Sequence, residues 1–165
     1  MALATRAVAL KLNHRVQQLK PAQGDRPRTL TERRAVTKAI MEQTFDPAWV
    51  RNNQRRLEEI VDSNLPHSRP LPVIAKQQRA ALTFDLEASL CKIPLTTKVA
   101  VIHGELDQMI PFAAGMDIAR RIPSAIFLPK GDRPGQIPSY AFGHQWFEYF
   151  GTSIWINVIE SFMMS

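Results

Sequence analysis

The sequence predicts an α/β protein in which a helical segment, residues 1–92, precedes a smaller part, residues 93–165, that contains two parallel strands and the terminal helices. Three observations support this division. Apolar residues recur at helical spacing before Ile93-Pro94, two short apolar runs follow it, and a helical pattern separates those runs. The order strand, helix, strand is typical of a parallel sheet with a crossover helix.

Start and stop signals divide the helical segment. Thr29 and Glu32 have the spacing of a capping box, and Asp46-Pro47 places an N-cap residue directly before a proline at the first helical position. These signals and the apolar periodicity predict helices over Leu3–Leu19, Thr29–Gln43, Asp46–Ser63, Pro72–Leu82 and Asp85–Leu90.

The second part alternates between strand and helix patterns. We predict strands over Lys98–Ile102 and Ser124–Pro129, and helices over Pro111–Arg121 and Thr152–Met163. The first strand is apolar throughout after Lys98, which is typical of a strand covered on both faces. The last helix is expected to bury Ile154, Trp155, Val158, Ile159 and Phe162.

Composition restricts the classes of protein that this chain can represent. With 45% apolar and 22% charged residues it is an ordinary globular sequence, and no apolar stretch reaches the roughly 18–20 residues of a membrane-spanning helix. The single cysteine, Cys91, excludes an internal disulfide framework and favours a cytoplasmic protein. The first 24 residues lack acids and resemble a weak mitochondrial presequence, but we prefer an amphipathic helix with a solvated basic face.

The net charge of +6 is unevenly distributed. Residues 1–98 hold 17 basic and 9 acidic side chains, whereas residues 99–165 hold 4 and 6. Because the basic residues are scattered among acids, a solvated helical surface is the favoured interpretation, and no nucleic-acid partner is expected. A basic helical nucleic-acid binder is therefore kept only as the weakest functional hypothesis for this chain.

Two short motifs follow the predicted strands. Gly104-Glu105-Leu106-Asp107 comes after the first strand, and Gly143-His144 comes after the second, 37 residues beyond Asp107. The carboxyl ends of parallel strands meet at one edge of a sheet, so we expect Asp107 and His144 to lie close together. Each motif alone has a simpler explanation, Asp107 as a turn former or helix N-cap and Gly-His as a surface loop. Asp132 is a competing acid, but Asp107 is preferred because it directly follows its strand.

These motifs resemble those of the α/β-hydrolase family. Residues Val101–Pro111 are similar to the family's segment around the catalytic acid, Ile126–Lys130 resembles the next strand, and Gly143-His144 the loop of the catalytic histidine. The resemblance covers residues 93–164, and residues 28–90 are similar, more loosely, to the cap or lid of these enzymes. The resemblance therefore implies a partial α/β-hydrolase fold. It also implies hydrolysis of an ester, amide or related bond in a small-molecule substrate, without metal or organic cofactor.

The resemblance also implies roles for single residues. His144 would exchange a proton with a nucleophile and the leaving group, and Asp107 would fix its tautomer. Gly104 would allow a sharp turn out of the strand, and Gly143 would give the histidine loop freedom. Trp146 and Phe147 are candidates for substrate binding, although a core position is the more common use of such aromatics. His103 is interpreted as a structural histidine.

The chain departs from the family at the nucleophile. No G-x-S-x-G motif or oxyanion-hole segment occurs, Ser153 lacks the second glycine and follows the histidine, and Cys91 has no nucleophile elbow. We therefore expect a partial chain that is inactive alone, with an open sheet edge where further strands would pair. The alternative is a non-catalytic interaction module derived from a hydrolase, in which a protein partner covers that edge.

Overall fold

The computed structural model describes residues 28–67, positions 73, 76, 77, 79, 80 and 83, and residues 85–165. These residues form a mixed α/β structure that is mostly helical and contains a two-stranded parallel sheet. The chain divides into two compact units with the boundary between Asp85 and Leu86. The predicted helix Leu3–Leu19 lies outside the described residues, whereas the described positions between 73 and 83 are helical.

The described part of the first unit consists of short helices. They are α1 (Leu30–Gln43), α2 (Pro47–Asn52) and α3 (Gln54–Asn64), followed by a 3₁₀ turn over Leu65–His67. The predicted capping box is confirmed at the start of α1: Oγ1 of Thr29 accepts the Glu32 N–H at 3.2 Å, and the Glu32 carboxylate accepts the Thr29 N–H at 2.8 Å. Arg34 of α1 forms an ion pair of 2.8 Å with Glu58 of α3, on a partly exposed surface where such pairs contribute little to stability.

The single helix predicted from Asp46 to Ser63 is wrong in one respect, because Asn53 divides it. Asp46 caps α2 as predicted, since its Oδ1 accepts the N–H groups of Ala48 and Trp49 at 2.9 and 3.1 Å. At Asn53 the backbone leaves the helical region, with φ −126° and ψ 37°, and the side-chain amide donates to the Trp49 carbonyl oxygen at 2.9 Å. Asparagine side chains compete for backbone groups in this way, so the helix ends and begins again as α3.

A small apolar core stabilises the first unit. The rings of Phe45 and Trp49 stack with their centroids 3.7 Å apart, and both side chains are buried. Leu57 and Val61 lie one helical turn apart on the inner face of α3 and are fully buried. The helical spacing of these apolar residues therefore defines the buried face of α3.

The second unit contains the sheet. Its elements are a 3₁₀ helix (Glu87–Lys92), β1 (Val99–Val101), α4 (Phe112–Arg121), β2 (Ala125–Phe127) and α5 (Thr152–Met164). The strands are parallel, with Val99 opposite Ala125 and Val101 opposite Phe127, and α4 packs against both. The predicted parallel pairing through an intervening helix is thereby confirmed.

The strands are shorter and less covered than predicted. Each has three residues, whereas the sequence suggested Lys98–Ile102 and Ser124–Pro129. β1 is only half-buried, so the coverage expected for both of its faces is wrong. Ile126 at the centre of β2 is 47% exposed. The physical reason is that each strand has one neighbour in the described part of the chain, and a pair of strands has little surface against which apolar side chains can pack.

The core of the second unit lies between the sheet and α5. It is formed by Leu128, Ile137, Phe142, Trp155 and Val158. Of the five residues that α5 was expected to bury, Trp155 and Val158 are buried, Ile154 and Phe162 are half-buried, and Ile159 is 46% exposed. Neither α5 nor another helix among the described residues combines the length and apolar character needed to cross a bilayer.

Candidate functional site

Asp107 follows β1 in a tight turn that its own side chain stabilises. Its Oδ1 accepts the N–H groups of Met109 and Ile110, at 2.7 and 2.9 Å. Aspartate commonly closes a turn in this manner, and the turn-former interpretation therefore accounts for one oxygen of the carboxylate. Asp107 does not cap the next helix, because α4 begins directly after Pro111.

Backbone hydrogen bonds join the turn that carries Asp107 to the loop that carries His144. The N–H of Glu105 donates to the Tyr140 carbonyl oxygen at 2.7 Å, and the N–H of Leu106 donates to that of Phe142 at 3.1 Å. A Cβ atom on Gly104 would lie 1.9 Å from the Phe142 carbonyl oxygen. The expected role of Gly104 is thus corrected: its φ lies outside the left-handed region, and glycine is needed because the two backbones approach closely.

The two loops bring Asp107 and His144 together. Nδ1 of His144 lies 3.0 Å from Oδ2 of Asp107. Because an ionised carboxylate only accepts hydrogen bonds, Nδ1 carries the proton in this contact. The Asp107 side chain is 5% exposed and that of His144 is 37% exposed. Among the described residues, Nε2 of His144 has no hydrogen-bond partner, so the outer nitrogen is left as an accessible proton acceptor.

A second histidine, which sequence reasoning did not place in the site, contacts the same oxygen. Nε2 of His103 lies 3.3 Å from Oδ2 of Asp107 and 3.1 Å from the Ile110 carbonyl oxygen, and its side chain is only 10% exposed. The four-residue spacing of His103 and Asp107 was visible in the sequence. That spacing indicates a contact only once the turn between them is known, whereas the position of His103 inside the strand motif favours a structural histidine.

The carboxylate of Asp107 is fully hydrogen-bonded. Burial alone would raise its pKa, but hydrogen bonds from His103, His144 and the N–H groups of Ile110 and Met109 outweigh burial and hold the pKa far below its usual value. A carboxylate offers about four acceptor positions, and each is used here. These four hydrogen bonds therefore favour the ionised form of Asp107.

The other candidate residues either pack against the core of the second unit or lie on its surface. Trp146 packs edge-on against Trp155, with ring centroids 4.4 Å apart, and so extends the core, whereas Phe147 is 51% exposed and touches the edge of Trp146. Asp132 is exposed on the loop after β2, and Ser153 is exposed in the first turn of α5. Asp107 rather than Asp132 is the carboxylate that contacts His144.

Comparisons with known proteins do not extend this description. No protein-family model, curated protein or solved structure matches the chain. In the part of the chain that the structure describes, no group of three or more histidine, cysteine, aspartate or glutamate side chains could hold a metal ion. The chemistry that the site could perform therefore depends on Asp107, His144 and His103.

Proposed function

We propose that Asp107 and His144 are the acid and base of a serine-type hydrolase of α/β-hydrolase architecture that cleaves an ester, amide or related bond in a small molecule. The observation that carries the proposal is the 3.0 Å contact between Nδ1 of His144 and Oδ2 of Asp107. In a Ser-His-Asp triad, the carboxylate holds one ring nitrogen while the other takes the proton of the nucleophile. The ring of His144 is partly exposed and its Nε2 has no hydrogen-bond partner in the described part of the chain, which suits that second task.

The fold supports the same proposal independently of the contact. Asp107 follows β1 and His144 follows β2, and these strands are parallel neighbours joined through α4. Acid and then histidine, after successive parallel strands, is the chain order of the α/β-hydrolases. Backbone hydrogen bonds between the two loops hold the pair without help from flexible side chains. A chance surface contact does not require such support.

The nucleophile has to come from elsewhere in this proposal. The 165 residues contain no G-x-S-x-G motif, and Ser153 is an exposed residue in the first turn of α5 that makes no hydrogen bond to His144 among the described residues. We propose that nucleophile and oxyanion donors belong to polypeptide outside this sequence. The 165-residue chain alone should then show no turnover, because loss of a nucleophile removes most of a triad's rate.

Mass measurement and active-site labelling test the proposal directly. The endogenous protein is captured with an antibody to the carboxyl-terminal region, weighed intact, and treated with a fluorophosphonate that labels activated serines. We expect a mass well above 18.7 kDa and a single labelled serine outside the present sequence. A mass of 18.7 kDa together with absence of labelling would contradict the proposal.

Variants of the endogenous protein then test the assignment of each residue. His144→Ala and Asp107→Asn should each nearly abolish labelling, since the nucleophile loses its base or the base loses its tautomer. Asp132→Asn is the matched control, because it removes a carboxylate from an exposed loop and should leave labelling unchanged. Equal labelling in all three variants would show that Asp107 and His144 are not the acid and base.

Exposed apolar residues favour the alternative, a non-catalytic interaction module. Ile126 on β2 is 47% exposed and Met163 on α5 is 72% exposed, and β1 and β2 are the only strands that pair in the described residues. A protein partner at the open sheet edge would cover such groups. In that case Ile126→Lys would impair the cellular function of the protein, whereas His144→Ala would not. The opposite result would favour the hydrolase.

A further inference from the structure

Tyr140 lies four residues before His144 in the loop that carries it, and its side chain is anchored on the sheet. The hydroxyl group of Tyr140 donates to the carbonyl oxygen of Leu128 at 2.9 Å. Leu128 directly follows β2, is 1% exposed, and donates its own N–H to the carbonyl oxygen of Val101 in β1 at 3.0 Å. The hydroxyl is therefore bonded to a buried part of the backbone that the strand pairing already holds.

The ring of Tyr140 provides a second anchor. It packs against Phe112 of α4 and Phe127 of β2, with ring centroids 5.5 and 5.6 Å apart. Phe112 and Phe127 also meet each other edge-on at 5.4 Å, so the three rings form one cluster. Aromatic pairs of this kind stabilise a contact beyond the area that they bury. Ring and hydroxyl together fix the Tyr140 side chain on elements that carry neither Asp107 nor His144.

The backbone of the same residue reaches both members of the candidate pair. The carbonyl oxygen of Tyr140 accepts the N–H of Phe142 at 2.8 Å and the N–H of Glu105 at 2.7 Å. The first hydrogen bond closes a tight turn just before His144, and the second holds the turn that carries Asp107. A carbonyl oxygen offers two acceptor positions, and both are occupied here. One peptide oxygen thus joins the two loops, and it belongs to the residue whose side chain is anchored.

We propose that Tyr140 is a positioning residue of the Asp107–His144 pair: its side chain fixes the carbonyl oxygen that joins the two loops, and thereby sets the distance between Nδ1 of His144 and Oδ2 of Asp107. The proposal rests on the proposed function, in which an oriented base takes the proton of the nucleophile. Tyr140 acts through the backbone in this role and exchanges no proton itself. Its contribution is geometric, because a displacement of about 1 Å can slow a catalysed reaction about 100-fold.

Tyr140→Phe tests the proposal by removing one hydroxyl group and leaving the ring in place. In the endogenous protein, the time course of fluorophosphonate labelling gives the final extent, the rate constant at saturating probe, and the probe concentration for half that rate. We expect the saturating rate constant to fall about tenfold, with the other two quantities unchanged. Loss of folded protein would lower the final extent instead. A lower extent with an unchanged rate constant would overturn the proposal.

Ser139→Ala is the matched control in the same loop. Oγ of Ser139 accepts the N–H of Ala141 at 3.2 Å, so this substitution also removes one side-chain hydrogen bond. That bond joins the loop only to itself, and we expect the rate constant to be unchanged. An equal fall in Ser139→Ala and Tyr140→Phe would overturn the proposal, because any loosening of the loop would then have the same effect as loss of the anchor on Leu128.

Nuclear magnetic resonance of the 165-residue chain separates this proposal from the hydrolase assignment. The Nδ1 proton of His144 is expected at low field, because a carboxylate oxygen 3.0 Å from the nitrogen accepts it. In Tyr140→Phe the resonance should move to higher field as the contact lengthens, whereas Ser139→Ala should leave it in place. If no serine is labelled but the resonance responds in this way, the hydrolase assignment fails and the positioning role stands. If labelling succeeds but neither its rate constant nor the resonance changes in Tyr140→Phe, the hydrolase stands and Tyr140 is not its positioning residue.

Discussion

Asp46, before α2, and Asp107, after β1, use the same local hydrogen-bond pattern to different ends. In both, Oδ1 accepts the N–H groups of the residues two and three positions later, at 2.9 and 3.1 Å for Asp46 and at 2.7 and 2.9 Å for Asp107. Asp46 is followed by Pro47 and starts a helix. Asp107 closes a turn instead and presents Oδ2 to His103 and His144.

The difference shows where local sequence stops determining function. Both aspartates satisfy nearby backbone donors, which is the ordinary use of this side chain in turns and caps. Only Asp107 is also met by a histidine 37 positions away, and that contact depends on the pairing of β1 with β2 and on the close approach of Gly104 to Phe142. The candidate site is thus a tertiary contact added to a local motif.

The largest effect is expected from a substitution at Gly104, which would force apart the two loops that hold Asp107 against His144. In Gly104→Val the added side chain would collide with the backbone of Phe142, so the unfolding free energy of the second unit should fall by about 3 kcal/mol. Urea unfolding measures this, and the low-field Nδ1–H resonance of His144 should disappear. Gly151→Ala is the control, because its Cβ would meet only Ser153 at 3.8 Å. Equal stability of the two variants would contradict the close-approach argument.

A smaller effect is expected from Asp107→Ala. This substitution leaves His103, His144 and two backbone N–H groups without their acceptor, and should cost about 2 kcal/mol because water reaches only part of the site. Thermal or urea unfolding gives the value. A cost no larger than that of Asp46→Ala would mean that the histidines contribute nothing to the stability of the turn.

Asp46→Ala removes the N-cap of α2. We expect a loss of about 1 kcal/mol in the stability of the first unit, the usual contribution of an aspartate N-cap. The Nδ1–H resonance of His144 should be unchanged, and this makes the variant a reference for the loss of an N-cap. A shift of that resonance would show that the two aspartates are coupled, and the comparison between them would fail.

The smallest effect is expected in how the stability of the second unit depends on pH. The pKa of His103 is raised by Asp107, so its stabilising contribution is complete below the ordinary histidine value of 6.5 and is lost as the pH rises through the raised value. The pKa of Asp107 is lowered, so its contribution is lost only in strong acid. The stability of the second unit should therefore decline as the pH rises above about 6.5. His103→Gln should flatten this decline and Asp46→Ala should not, and a slope shared by all three proteins would exclude His103 as its source.

Local features of the fold were predictable from the sequence. The Thr29–Glu32 capping box and the Asp46 cap involve neighbours in the chain, so residue type and spacing define them. The parallel pairing of β1 and β2 followed from the order of apolar runs. The contact between Asp107 and His144 was expected for the same reason, because the carboxyl ends of paired strands lie at one edge.

Features that depend on what surrounds an element were not predictable. The break at Asn53 depends on a side chain that competes for the Trp49 carbonyl oxygen, although the apolar pattern continues through it. Ile159 has the spacing of a buried residue, yet its side chain is 46% exposed, because periodicity does not show whether another element covers that position. His103 joins the site because a turn brings it next to Asp107 and because Gly115 has no side chain that would collide with its ring. Neither feature produces a periodic pattern in the sequence.

The backbone hydrogen bonds of Glu105 and Leu106 have a further consequence for how the site could be monitored. Both amides are donors in bonds that join the two loops, so their hydrogens exchange with solvent only when the loops separate. Separation of the loops also parts Asp107 from His144. Hydrogen exchange at these two neighbouring amides therefore reports how often Asp107 and His144 separate. Their exchange rates should rise together under any condition that opens the two loops, and the measurement requires no substrate, probe or label.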